Sequence, residues 1–217
     1  MAALIIPIVA LLAANHRSEQ TKAQILSNNQ QNIFSNYYKH IEEFEKYIET
    51  NIDQTEMLIE KKRSCHRRIY PKASKGDFSV DEELAAKVET NSNEIYEFIE
   101  YFHKGHRKMS HDTIVDIELN LREIERNLSM RWSPKNVNTV TLNNVTVRAQ
   151  KNSLKHYFRN IKNRSHAILD VLEFDQYFEV PKSLRFIARG NYSEVPDVEI
   201  KENGSYPAFE FIKDYKG

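Results

Sequence analysis

Glu100, His103, His106 and His111 form the densest group of side chains in this sequence that could do chemistry. Glu-x-x-His at i, i+3 puts both groups on one helix face and is the repeating unit of di-iron carboxylate bundles. Such a site needs a second copy and two further glutamates, and the chain offers only this one copy. Gly105 also interrupts the helix that would aim His106. A polar interhelical loop explains the group, and His103 and His106 near a helix C-terminus complement its dipole. Zinc is not expected, because Cys65 is the only cysteine and neither His-Glu-x-x-His nor Cys-x-x-Cys occurs. No metal and no cofactor is therefore assigned.

Cys65 is the other candidate. It stands beside His66 in a strongly basic run, where neighbouring cations would lower a thiol's pKa and raise its reactivity. A lone cysteine in a flexible loop is expected to be incidental. The chain has no Gly-x-Ser-x-Gly, no phosphate-cradling Gly-rich loop and no dinucleotide fingerprint, and its five glycines leave little room for one. The expectation is a protein that is not an enzyme. A hydrolase using the His103 to His111 region is a distant third reading.

Charge carries more information than motifs. Acidic and basic residues balance at 31 each. They are nevertheless segregated into five alternating blocks. The stretch 61–76 holds seven Lys or Arg and no acid, and 131–164 holds eight and no acid. The stretches 1–60, 77–130 and 165–217 are acidic. Two basic blocks that converged in the fold would make a patch for phosphate, in nucleic acid or anionic lipid. Pairing of the basic blocks with the chain's own acidic helices is the competing expectation. Arg63, Arg67 and Arg68 in the first block and Lys155, His156, Tyr157 and Arg159 in the second are the candidate binding residues.

The run from Ala2 to Ala14 contains no polar side chain, and the polar stretch from Asn15 to Gln20 follows abruptly. Thirteen residues make roughly 20 Å of helix, against a hydrocarbon core about 30 Å thick. Three readings stand: a partial or incomplete membrane anchor, a secretory signal peptide, or a buried helix of a water-soluble domain. A signal peptide should open with a basic region and close on a small-x-small site, and neither is clear. A membrane anchor through Leu4, Ile5, Ile6, Ile8, Leu11 and Leu12 is preferred, with Pro7 tolerable in such a helix. Arg17 and Lys22 follow the block and no base precedes it, so the bulk of the chain is expected on the cytoplasmic side of the inner membrane. A single cysteine gives no sign of an oxidising compartment. The five Asn-x-Ser/Thr triplets, at Asn127, Asn144, Asn163, Asn191 and Asn203, are read as chance in an Asn-rich sequence.

The rest reads as mainly α. No Gly or Pro interrupts the stretch from Ser18 to Arg63, where Phe34, Tyr37, Ile41, Phe44 and Ile48 make a heptad-like stripe. This predicts a long amphipathic helix, a surface for a second copy or a protein partner along 18–63, with the first basic block at its end and in the loop beyond. A second helix is expected from a Ser79/Glu82 capping box to Lys104. A third starts near Ser110 on the stripe Ile114, Ile117, Leu121, Ile124 and Leu128. A fourth runs from Ser153 to Phe174, with Leu154, Phe158, Ile161, Ile168 and Leu172 on one face. Between Val137 and Val147 the period changes to two around Asn143-Asn144, which predicts a hairpin over 139–148, with a polar helix start as alternative. After Pro181 the chain reads as extended at 184–189, 198–201 and 209–212, with a turn at Asn203-Gly204. The expected division is an anchor segment at 1–16, a helical bundle at 17–180 and a small extended or β section at 181–217.

One further element is a resemblance. Leu154-Lys155-His156-Tyr157-Phe158-Arg159-Asn160-Ile161 resembles the Leu-x-His-Tyr-Phe-Arg-x-Leu helix of bacterial proteins labelled as phage abortive infection proteins. The aromatic-rich Asn32 to His40 stretch, followed by Glu42-Glu43-Phe44, is similar to a second element of that group. Its members tend to show two hydrophobic segments where this chain shows one. The resemblance implies host protection during phage infection, through the membrane, and implies no catalytic residues. The combined expectation is a membrane-tethered, non-enzymatic helical interaction or phage-defence effector. The alternative is a nucleic-acid- or lipid-associated regulator that binds phosphate through the two basic blocks, with nucleic acid the less favoured partner.

Overall fold

The computed structural model describes residues 2–52, 57–59, 61–103, 109–133, 138–149, 152–201 and 204–206. Within them the protein is mainly helical with a few short strands. Helix α1 spans Ala2–Asn51, followed by β1 (Met57–Leu58), α2 (Lys62–Ile69) and a 3-10 turn at Ala73–Lys75. Then come α3 (Glu82–His103), β2 (Met109–Ser110), α4 (His111–Asn127), β3 (Arg131–Trp132), β4 (Asn138–Leu142) and β5 (Val145–Ala149). The remaining elements are α5 (Leu154–Leu172), α6 (Lys182–Arg189) and β6 (Ser205–Tyr206).

Helices α3, α4, α5 and α6 close into a four-helix cluster, in which each packs on two others. Its centre is made of the expected stripes. Ile114, Ile117, Leu121, Ile124 and Leu128 of α4 are buried, as are Leu154, Phe158, Ile161, Ile168 and Leu172 of α5. Each fully buried side chain of this kind contributes about 1.5–3 kcal/mol. Ser110 and Ser153 cap α4 and α5 by accepting from the N–H of Thr113 and His156. At α3 the cap is Asp81, whose Oδ2 accepts from Leu84 N–H at 3.0 Å. The Ser79 capping box is therefore corrected: Ser79 instead donates to Asp77 Oδ1 at 2.6 Å.

The long helix ends sooner than the absence of Gly and Pro suggested. Thr50 Oγ1 and Asn51 Nδ2 donate back to the carbonyls of Lys46 and Tyr47. Such local bonds offer the backbone an alternative to helix. The basic block is not a helix end and loop but a helix of its own. α2 runs antiparallel along α1, its Lys62 paired with Glu49 and Arg63 Nε 3.1 Å from Glu45 Oε1. The stripe on α1 is split. Ile41, Phe44 and Ile48 are buried against the body, whereas Phe34 is 62% exposed. Residues 9–32 are exposed throughout, so about 36 Å of α1 stands away from the bundle. Among the described residues no helix is long and apolar enough to cross a membrane.

The strands pair antiparallel, β1 with β3, β2 with β6 and β4 with β5. The last pair is the expected hairpin, with Leu142 opposite Val145. Asn143 and Asn144 adopt φ of 46° and 63°, the left-handed values that a two-residue primed turn demands. The extended reading of 184–189 is overturned, because this segment is α6. Leu184, Ile187 and Ala188 sit at i, i+3, i+4 and all are buried. Residues 198–200 do run alongside the start of α5: Leu154 N–H donates to Val198 O, and Ile200 N–H to Asn152 O. Residues 209–212 lie outside the described residues.

Candidate anion-binding cavity

Two acids on α4, Glu118 and Glu125, lie seven residues apart and therefore face the same way. Both are buried, 2% and 5% exposed, against Arg164 of α5, itself 2% exposed. Arg164 donates from Nε and Nη2 to the two oxygens of Glu125 at 2.6 and 3.0 Å, and from Nη1 to Glu118 Oε2 at 2.7 Å. Arg122, one turn after Glu118, donates from Nε to Glu118 Oε1 at 2.7 Å and also reaches Thr146 O in the hairpin. Burial opposes the charge on Arg164, but Glu118 and Glu125 outweigh it and push its pKa further up. These two acids and two arginines thus form a hydrogen-bonded set that ties α4, α5 and the hairpin together.

Outside this set opens a cavity of about 510 Å³. Its rim brings in Arg68 from α2, Arg126 from the end of α4, and Arg131 and Trp132 from β3. The lining holds five arginines, counting Arg122 and Arg164, against two glutamates. Arg68 Nη1 donates to Arg126 O at 3.2 Å, at the carbonyl-rich C-terminus of α4, which fixes the guanidinium at the rim. Arg126 itself is paired with Glu123. The guanidinium fork matches phosphate and carboxylate geometry, so this arrangement suits an anion. Both carboxylates in the lining are held by guanidinium groups.

The structure divides the sequence-predicted residues. Arg68, from the first basic block, meets Arg131 and Arg164, from the second, at this cavity. Arg67 is exposed elsewhere on α2, and Arg63 pairs with Glu45. Lys155 and Arg159 are exposed on α5, away from the cavity lining. His156 is half-buried, and its Nδ1 lies 2.8 Å from Ser153 Oγ at the helix cap. Tyr157 is corrected as a contact residue: it is fully buried and donates to Ile114 O at 3.0 Å. Leu4, Ile5, Ile6 and Ile8 belong to α1, with side chains outside the described set, while Leu11 and Leu12 are 72% and 63% exposed.

The two chemistry-bearing groups fare differently. His106 and the side chain of His103 lie outside the described residues, and His111 Nε2 sits 3.1 Å from Asp112 Oδ1. Among the described residues no three His, Cys, Asp or Glu converge as metal ligands would. Cys65 is not in a flexible loop. It is buried in α2, and burial pushes its thiol up to about 12 despite Arg68. Sequence reasoning missed Arg164 as the keystone. Its signal was available in Glu118 and Glu125, two acids on the apolar face of α4 that only a buried cation could satisfy. No family model, curated protein or solved structure matches the chain.

Proposed function

We propose that this chain is a membrane-associated, non-enzymatic interaction protein, held at the cytoplasmic face of the inner membrane by the start of α1. One observation carries the reading. α1 continues from the apolar run into the body as one helix, yet Val9, Leu11 and Leu12 are 58%, 72% and 63% exposed. No other part of the described chain covers them, so their favourable burial awaits an external apolar phase. A thirteen-residue block suits a partial anchor rather than a full span. The test is flotation of the full chain with bilayer vesicles, compared with a Leu11→Glu, Leu12→Glu variant. Both positions are solvent-facing, so the variant keeps its fold. Withdrawing two leucines from lipid should weaken association by about a hundredfold or more. Co-flotation that is unchanged in the variant, or absent in the parent, refutes the anchor.

The second reading is phosphate binding, favoured by the meeting of Arg68 and Arg131 at one cavity. Arg68→Ala with Arg131→Ala should weaken binding to anionic vesicles or single-stranded DNA and flatten its salt dependence. Lys155→Ala with Arg159→Ala, away from the cavity, serves as the comparison. The resemblance to abortive infection proteins supplies the biological setting, protection of the host during phage infection. Challenging expressing bacteria with a broad phage panel tests that role, and no protection counts against it.

A further inference from the structure

A second and larger cavity shares no lining residue with the first, and its chemistry is the opposite. About 800 Å³ in volume, it opens where three distant segments meet: α1 at His40 and Glu43, the lead into α3 at Phe78, and the turn after α5 at Phe174, Asp175 and Phe178. The rings converge. The His40 centroid lies 4.5 Å from that of Phe78 and 5.2 Å from that of Phe174. Two carboxylates, Glu43 and Asp175, complete the wall, and among the described residues no Lys or Arg lines it.

His40 is fixed from behind. Its Nδ1 lies 2.7 Å from Nε2 of His66, which is buried in α2 among Tyr37, Phe44 and Tyr70. One ring must donate and the other accept, so at least one is neutral. Burial holds His40 below the usual imidazole value against the pull of Glu43 and Asp175. The described lining thus sets two carboxylates beside three rings, with the imidazole held below its usual pKa. The far nitrogen of His66, Nδ1, and the Tyr70 hydroxyl are buried without a hydrogen-bond partner.

We propose that this cavity binds a small organic ammonium ion, seated against the rings of His40, Phe78 and Phe174 and neutralised by Glu43 and Asp175. Aromatic faces attract cations through their quadrupole, and the attraction strengthens as the ion is desolvated. The carboxylates supply the counter-charge. Asp175 is positioned for this by its own turn, since Oδ1 accepts from Tyr177 N–H at 2.9 Å. Glu43 lies 3.7 Å from the exposed Lys39, a contact loose enough for a better-seated cation to replace. The site is independent of the arginine cavity and of the membrane reading.

The experiment is titration of the full chain with choline at pH 7.5, followed by proton NMR of the histidine and phenylalanine ring signals. The neutral isostere 3,3-dimethyl-1-butanol is titrated in parallel. Choline should shift the His40 ring and saturate in the millimolar range, and the isostere should bind at least about tenfold more weakly. Asp175→Asn with Glu43→Gln, both at solvent-accessible positions, should also weaken choline about tenfold. Equal binding of choline and its isostere overturns the proposal. So does the lack of a saturable shift up to about 100 mM. Because the first comparison uses the unaltered protein, the outcome does not depend on how any variant folds.

Discussion

Replacing Arg164 by Met tests the account of the buried ion set directly. The substitution roughly keeps the volume of the aliphatic stem and deletes the guanidinium. Glu118 keeps Arg122, 2.7 Å away, but Glu125 loses both of its bonds at 2.6 and 3.0 Å. A carboxylate that is about 5% exposed is then left with no cation. Breaking such a pair costs about 3–5 kcal/mol. Proton uptake sets a ceiling on the cost. Protonating an ordinary glutamate, with pKa about 4.3, costs about 1.4 kcal/mol per pH unit, hence about 4 kcal/mol at pH 7 and about 1 kcal/mol at pH 5. The variant's folded state holds a proton more tightly than its unfolded chain does, so its deficit shrinks as pH falls. Urea unfolding at pH 5 and pH 7 measures this. Trp132, the single tryptophan, lies 6.0 Å from the Arg164 guanidinium and reports the site, with helical circular dichroism as a second probe. Adding Glu125→Gln should recover most of the pH 7 deficit. A loss below about 1 kcal/mol at pH 7 refutes the reasoning, as does an equal loss at both pH values.

Two further outcomes follow from particular residues. Burial, helped by His40, lowers His66 from 6.5 to about 4, so the folded chain binds fewer protons than the unfolded chain between those values. Stability attributable to this ring is present above pH 6.5 and is lost on acidification, by about 3 kcal/mol at pH 4; His66→Phe should flatten the acid limb of stability against pH, and an identical limb in both proteins counts against the assignment. In the hairpin, Asn144→Ala at φ 63° should lower stability by about 1 kcal/mol, while Asn144→Gly should hold or raise it. Urea midpoints decide between a turn that constrains the fold and one that merely joins two strands.

What was legible in the sequence follows from how local each signal is. The stripes of α4 and α5, the helix starts near Ser110 and Ser153 and the Asn143-Asn144 turn each depend on residues close together in the sequence. All appear where their spacing placed them. The misreadings needed partners from elsewhere in the chain. α6 has only eight residues, and its buried Leu184, Ile187 and Ala188 become a helix face only against α3 and α5. The first basic block looked like a helix terminus until the acids on α1 gave it somewhere to lie. Tyr157 was a candidate through its place in the segment that carries the resemblance. Its hydroxyl goes instead to the carbonyl of Ile114, a pairing no local pattern could show. Arg164 illustrates the same limit from the other side: its neighbours in sequence are basic and solvated, and its partners are on another helix.

The two halves of α1 obey different physics, and the difference bears on the proposed anchor. From Ile41 onward the helix is held by packing, with Ile41, Phe44 and Ile48 buried in the body. Between Asn15 and Asn32 it is polar on every side apart from Ala23, Ile25 and Leu26, and each of these residues is exposed. A helix polar all round gains nothing by lying on its own domain and serves as a strut through solvent. This strut is about 27 Å long. It puts more than two Debye lengths of physiological salt solution between the apolar end and the arginine cavity. Whatever the first residues enter, the charge of that surface is therefore screened from the body while the strut stands upright. Binding of an anion at Arg68 and Arg131 should then be insensitive to whether the apolar end is occupied. If vesicle-bound and free protein instead differ in affinity for a soluble phosphate ligand, the helix is not a passive spacer, and the body must come down onto the surface.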